Sequence, residues 1–310
     1  MADGPVLILG SSGFVGRHLA AAAEAEGMEI VRAARGGDGD LDFDLRDPGS
    51  VERAVEAAAP SAVINLAGFS SVGQSWADPA AAFEANLVGA VNVLEAIARK
   101  APDAHLVCIS SGEVYGEIPE GELPAREQHP LRPLNPYGAS KAALEVACAQ
   151  YERAQGLRVA VIRAFNQLGP GQAEGFAASS FARQIAAAER AGAPAVTLAT
   201  GNTEVARDFI DVRDVAHAYL LVIERELVGT FNACSEKAMR ISELIDALSA
   251  EARVEVEREV DPAKLRRAEP AVVFGSAERL REASGWEPRT PIARSLADLL
   301  EWWRERLVAR

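Results

Sequence analysis

VLILGSSGFVG, residues 6–16, is the stretch whose reading decides the fold. Four apolar residues end on a glycine, and glycines recur at Gly10, Gly13 and Gly16 where an alanine-rich helical pattern begins. Glycine permits a tight turn there, and the bare helix start at Phe14 and Val15 offers N–H donors and a favourable dipole to a pyrophosphate. Glycines so spaced can also serve as turn residues alone. Their place between a strand and a helix is what points to a nucleotide.

Outward from this stretch, short apolar runs alternate with longer helical patterns. VLIL (6–9) precedes a helix reaching about Glu26, MEIVRAA (28–34) precedes VERAVEAAA, and SAVINLA (61–67) precedes a helix from about Pro79 to Arg99. HLVCIS (105–110) and LRVAVIRAF (157–165) continue the series around PYGASKAALE (136–145). Strand, helix, strand at this spacing predicts an α/β protein with a doubly wound, Rossmann-like parallel sheet. After Asn166 the rhythm breaks at LGPGQAEG and AGAPAV, and VEVEREV (254–260) alternates like a half-exposed strand. The expected organisation is a nucleotide-binding lobe over 1–166 and a smaller, mainly substrate-binding lobe over 167–310, with about 207–233 returning to the first. No internal repeat or low-complexity linker intervenes.

A chain of 310 residues can bury about three-quarters of its unfolded surface. Its net charge of −13 and pI near 4.9 argue against a nucleic-acid or anionic-membrane partner, which needs basic patches. The start MADGPVLILG lacks a signal peptide's basic region and cleavage site, and no apolar run reads as a bilayer span, so the expected location is cytoplasmic. Cys108, Cys148 and Cys234 lie far apart without CxxC spacing, and His18, His105, His129 and His217 are scattered, so neither a disulfide framework nor a metal site is expected.

PYGASKAALE places Tyr137 and Lys141 four residues apart, on one helix face. Alone, such a pair is as well explained by helix surface. Beside a nicotinamide it reads differently: a free tyrosine, with pKa about 10, is a poor proton partner near neutrality. A neighbouring ammonium and the positive charge of oxidised nicotinamide favour phenolate, so a lowered pKa is expected for Tyr137. At the end of the second strand the sequence reads Ala33, Ala34, Arg35, where an acid would hold the ribose 2′-hydroxyl of NAD. Arginine suits a 2′-phosphate, so NADP(H) is preferred; Asp38 and Asp40 leave NAD(H) possible.

The order GxxGxxG, strand-end SSxxVYG (110–116) and YxxxK resembles the extended short-chain dehydrogenase/reductases. That resemblance implies that Ser111, Tyr137 and Lys141 form the catalytic set, with Ser111 polarising a carbonyl, Tyr137 delivering its proton and Lys141 also holding the nicotinamide ribose. It assigns Asp44 and Leu45, in DFDLRD, to the adenine, Leu66 and Ala67, in NLAGFSSVGQS, to the cofactor's length, and Ser71 to the substrate. RAFNQLGPGQAEGF (163–176), ARDFIDVRDVAHAY (206–219) and VDPAKLRRAEPAVVFGSAERL (260–280) resemble the nucleotide-sugar branch, most closely the reductases of GDP-4-keto-6-deoxy-D-mannose that form GDP-D-rhamnose. The implied partner is a GDP-sugar, the implied reaction is reduction of its 4-keto group, and Asn166, Arg207 and Arg266 are the implied substrate residues. Arginine's planar fork fits phosphate, although a surface ion pair is open to each. Leu9 stands where threonine is usual, and Arg267 follows Arg266 where proline is usual. Glu113 matches a position at which GDP-mannose 4,6-dehydratases carry the base that removes a C5 proton. Its presence keeps a 4,6-dehydratase or 4-epimerase as the rival reading, with a non-catalytic dinucleotide-binding regulator more remote. The family also implies a homodimer joined through the helices bearing Asn86 and Tyr137.

Overall fold

The computed structural model describes residues 4–265 and 269–308. VLIL forms β1 (Val6–Leu9), buried along its whole length, as a strand covered on both faces must be. In chain order β2 (Ile30–Ala34), β3 (Leu41–Asp42), β4 (Ala62–Asn65), β5 (His105–Ser111) and β6 (Arg158–Ala164) follow. Next come β7 (Asn166–Leu168), β8 (Ala195–Thr200), β9 (Ala206–Asp211) and β10 (Gly229–Ala233). β11 (Ala238–Arg240), β12 (Glu255–Val260) and β13 (Val272–Val273) complete the strands among the described residues. The large sheet runs β10-β6-β5-β4-β1-β2-β3, with every pairing parallel. Strand order reverses between β1 and β4, which opens a crevice at their carboxyl ends.

Strand alternation sends Val6 and Ile8 to one face and Leu7 and Leu9 to the other. On the first face lie α1 (Phe14–Ala25) and α8 (Val212–Glu224), which contribute Leu19, Ala23, Val215 and Tyr219 to the core. The second face is covered by α2 (Pro48–Ala58), α5 (Gly89–Lys100) and α6 (Pro136–Gln155), through Val51, Leu94, Ile97 and Leu144. The helix expected from Pro79 is interrupted: α4 (Pro79–Phe83), after the short α3 (Val72–Ala77), runs into a π turn over Glu84–Val88 before α5. That extra residue per turn turns Asn86 inward, where it is buried. By length and composition alone Pro79–Lys100 matches a membrane span, but 44% of its apolar window is buried inside the protein.

The smaller lobe is built on β9, which pairs with β7, β11 and β13. β8 and β12 form a separate parallel pair, and α7 (Ala177–Arg190), α9 (Ile241–Glu251) and α11 (Ile292–Val308) enclose a third core around Phe181, Leu244 and Leu299. α10 (Glu278–Ser284) packs beside β10. Asp208, fully buried in β9, accepts hydrogen bonds from the N–H groups of Ser235, Glu236 and Gly275 and from the Ser235 hydroxyl. Burial pushes its pKa up to about 6 against the pull of those bonds. The edge strand β10 is fixed to the sheet by a buried polar network. Arg163 pairs with Glu145 at 2.7 Å and donates to the Tyr115 hydroxyl at 2.9 Å, and Tyr115 donates to Asn232 of β10 at 2.6 Å.

Candidate active site

β1 ends at Leu9, and Gly10 turns the chain with φ +87°. A Cβ on Gly10 would lie 2.8 Å from the Ala67 nitrogen, and one on Gly16 would lie 2.4 Å from the Gly10 carbonyl oxygen. Only bare backbone lets α1 start this close to the ends of β1 and β4. Gly13 caps α1 without a side-chain acceptor, so the first-turn N–H groups of Phe14 and Val15 face the crevice mouth with the positive end of the helix dipole. Gly171, from the loop after β7, accepts from Arg17 across this helix start at 3.3 Å. Leu66 and Ala67 follow β4 and are half-buried beside the glycine loop.

Arg35 emerges exposed just after β2. Two neighbouring acids are tied to backbone: Asp40 accepts the Arg32 N–H and Asp42 the Gly36 N–H, each at 2.8 Å. Arg46 grips Asp44 through its side chain and its own N–H, and with a smaller contribution from Arg35 this holds the Asp44 carboxyl down at about 2. Leu45 packs against Gly89 at the start of α5.

α6 presents Tyr137 and Lys141. Asn135 caps it by accepting the Gly138 N–H at 2.8 Å, and Pro136 occupies the first turn. Ser111, the last residue of β5, accepts the Glu113 N–H at 3.2 Å and stands close enough to the Tyr137 phenol to favour its charged form. Lys141 donates to the Ile109 carbonyl at 2.8 Å, with its ammonium 6.0 Å from the Tyr137 ring centre. Burial drives Lys141 down to about 8 and Tyr137 up to about 12. The lowered tyrosine expected from the sequence is therefore not a property of the protein alone. The apolar surroundings favour the neutral phenol more than the nearby Ser111 favours phenolate, and Glu113 adds to the rise.

Next to this pair is a cleft lined by Val72, Glu113, Asn135, Arg207 and Glu269, among others. Glu113 accepts from the Asn135 amide at 2.7 Å. Arg207, buried in β9, donates to the Ala206 carbonyl at 2.8 Å and stands 3.4 Å from a Glu269 oxygen. Asn166 turns its amide onto the Asp208 carbonyl at 3.0 Å, and Ser71 caps α3 by accepting the Gln74 N–H at 3.2 Å. Arg266 lies outside the described residues. The structure thus brings Glu113 and Arg207 to one cleft and puts Ser111, Tyr137 and Lys141 beside one another next to it, while Asn166 and Ser71 have their side chains engaged by backbone groups. Asn135 was not anticipated, although asparagine directly before a helix-starting proline carries a capping signal. Glu269 has no such signal, because its partner is 62 positions earlier in the chain.

A doubly wound parallel sheet, a glycine cradle at the end of β1 and a Ser, Tyr, Lys set at the end of β5 define an extended short-chain dehydrogenase/reductase of the nucleotide-sugar branch. More narrowly, the chain belongs to the GDP-mannose 4,6 dehydratase family, whose model matches residues 7–299. It is 40% identical over 306 residues to GDP-6-deoxy-D-mannose reductase of Pseudomonas aeruginosa, covering 97% of this chain and 98% of that one. The solved structure of RMD from Pseudomonas aeruginosa complexed with NADPH superimposes with a TM-score of 0.88 at 38% identity, covering 98% and 99% of the two chains. UDP-glucose 4-epimerase of Thermus thermophilus, solved with NAD, gives a TM-score of 0.84 at 31% identity, covering 97% and 99%.

Proposed function

We propose that this protein is an NADPH-dependent reductase of the 4-keto group of a GDP-4-keto-6-deoxy sugar. The observation that carries the reading is the Ser111 hydroxyl beside the Tyr137 phenol, next to a cleft whose lining takes in Gly112, Asn135 and Arg207. Likeness to the Pseudomonas reductase along nearly the whole chain supports the choice of sugar class.

The cofactor fits the residues present. Gly10 and Gly16 leave no room for a Cβ, and the uncapped first turn of α1 suits a pyrophosphate. Arg35 suits a 2′-phosphate, since Asp40 and Asp42 are occupied with backbone N–H groups, and exposed Asp38 leaves NAD(H) possible. Asp44 and Leu45 would border the adenine, and Leu66 and Ala67 the middle of the cofactor. NADPH, when bound, supplies the hydride that C4 of the sugar accepts. Tyr137 gives its phenolic proton to the C4 oxygen, and near neutrality a phenol with a pKa of about 12 carries that proton. Ser111 donates a hydrogen bond that polarises the same carbonyl. Lys141 holds the nicotinamide ribose with the ammonium that Ile109 orients. Arg207 takes a substrate phosphate, with Asn166, Ser71 and Arg266 completing the substrate side in this reading.

Glu113 favours a second reading. Its carboxylate lines the cleft, held by Asn135, where a dehydratase would need a base for the C5 proton. Incubation with the 4-keto sugar and NADPH, and separately with GDP-mannose and NADP, separates the two. Stoichiometric loss of reduced-nicotinamide absorbance in the first supports the reductase; product in the second without net cofactor change overturns it.

The same reading includes a homodimer formed through α5 and α6, supported by Val88 and Val146, exposed at 51% and 67%. Sedimentation at monomer mass would remove this part. It also places the protein in the cytoplasm, in keeping with three free, buried thiols.

A further inference from the structure

Ser75 closes the NLAGFSSVGQS stretch with no role assigned to it there, yet it is fully buried in α3 and bonded to the backbone of the proton donor. Its hydroxyl oxygen accepts the Tyr137 N–H at 3.2 Å and its hydroxyl donates to the Val72 carbonyl at 2.7 Å. Tyr137 sits in the first turn of α6, where N–H groups have no partner within the helix. Asn135 satisfies Gly138, so Ser75 supplies the acceptor Tyr137 would otherwise lack. Val72 itself lines the cleft. A second tie runs parallel: Asn86 accepts the Phe69 N–H at 2.9 Å and donates to Ser140 at 2.8 Å, and Ser140 donates to the Tyr137 carbonyl at 2.7 Å. Segment 69–75, which contributes Val72 to the cleft, is therefore tied to Tyr137 at its N–H directly and at its carbonyl through Asn86 and Ser140.

We propose that Ser75 is a positioning residue for proton delivery, coupling the substrate-facing start of α3 to the placement of the Tyr137 hydroxyl. The inference rests on the reductase reading above. Without the hydroxyl the first turn of α6 relaxes, and a shift of the phenol by a fraction of an ångström slows the chemistry, while the glycine loop before α1 that would hold the pyrophosphate makes no contact with Ser75 and keeps its shape.

The test is a double-mutant cycle read by single-turnover reduction of the 4-keto sugar with saturating NADPH. Ser75→Ala is expected to lower the rate about tenfold or more, with NADPH affinity unchanged. In a Tyr137→Phe background the same substitution is expected to cost less than about twofold, because no hydroxyl is left to misplace. Ser75→Cys fills the same space with a weak acceptor, so it gives the same pattern should the alanine variant fold poorly. An equal loss in both backgrounds, or a full rate in Ser75→Ala, overturns the role of Ser75. A full rate in Tyr137→Phe alone overturns the underlying reading instead.

Discussion

Lys141 gives a prediction in which activity and stability move in opposite directions with pH. Its ammonium is buried among Cys108, Cys148 and Glu145, with pKa lowered from a free lysine's 10.5 to about 8 by desolvation. At about 1.4 kcal/mol per factor of ten in proton affinity, keeping that charge in the folded protein costs about 3 kcal/mol. Between pH 8 and 10.5 the unfolded chain binds the proton that the folded protein has released, so this group adds stability as pH rises through that window. The Cys148 and Cys234 thiols, held above their usual range in the folded protein, lose their protons first in the unfolded chain and so oppose this gain as pH rises. The clean quantity is the difference between wild type and Lys141→Met, which removes the charge at nearly constant length. Urea unfolding across this range should show wild type gaining about 3 kcal/mol on the variant from pH 8 to 10.5. Over the same range wild-type kcat/KM for NADPH should fall, as neutral Lys141 loses its charged hydrogen bond to the ribose. Lys141→Arg, which cannot lose its proton, should abolish that fall. A stability difference independent of pH, or a kinetic limb that persists in Lys141→Arg, would refute the reasoning.

Tyr137→Phe should bind NADPH normally and lower kcat by about 10²–10⁴, the usual worth of a general acid, as read by single-turnover absorbance. Arg35→Ala should raise KM for NADPH by about tenfold or more and leave KM for NADH unchanged; equal losses for both would take Arg35 away from the 2′-phosphate. Glu145→Leu leaves the Arg163 guanidinium buried at 5% exposure without its carboxylate, and should cost about 3–5 kcal/mol in urea unfolding.

The nucleotide-binding architecture was legible because its signals are local. Four buried apolar residues, a glycine turn and an amphipathic helix recur along the chain, and each run needs only its own neighbours to be read. Tyr137 and Lys141 were legible as a pair through helical spacing, and Ser111 through its place at a strand end. What escaped depends on contacts distant in the chain. Ser75 meets Tyr137 across 62 positions, and Glu269 meets Arg207 across the same number. The π turn at Glu84–Val88 leaves no mark in a helical pattern already rich in alanine. β11 and β13 are three and two residues long, too short for any periodicity. The rise of Tyr137 in the protein by itself was not legible because charges can be counted in a sequence, whereas burial, its largest cause, cannot.

The strand that closes the large sheet, β10, is encoded after β7, β8 and β9 of the smaller lobe. A growing chain that has just released residue 166 from the ribosome therefore carries β6 as an open edge, with Tyr115 still lacking Asn232. An unpaired edge of this kind invites association with other chains until some 67 further residues arrive. Cofactor binding during synthesis should accordingly appear late, after residue 233, and the fragment 1–166 should aggregate instead of serving as a detachable nucleotide-binding module.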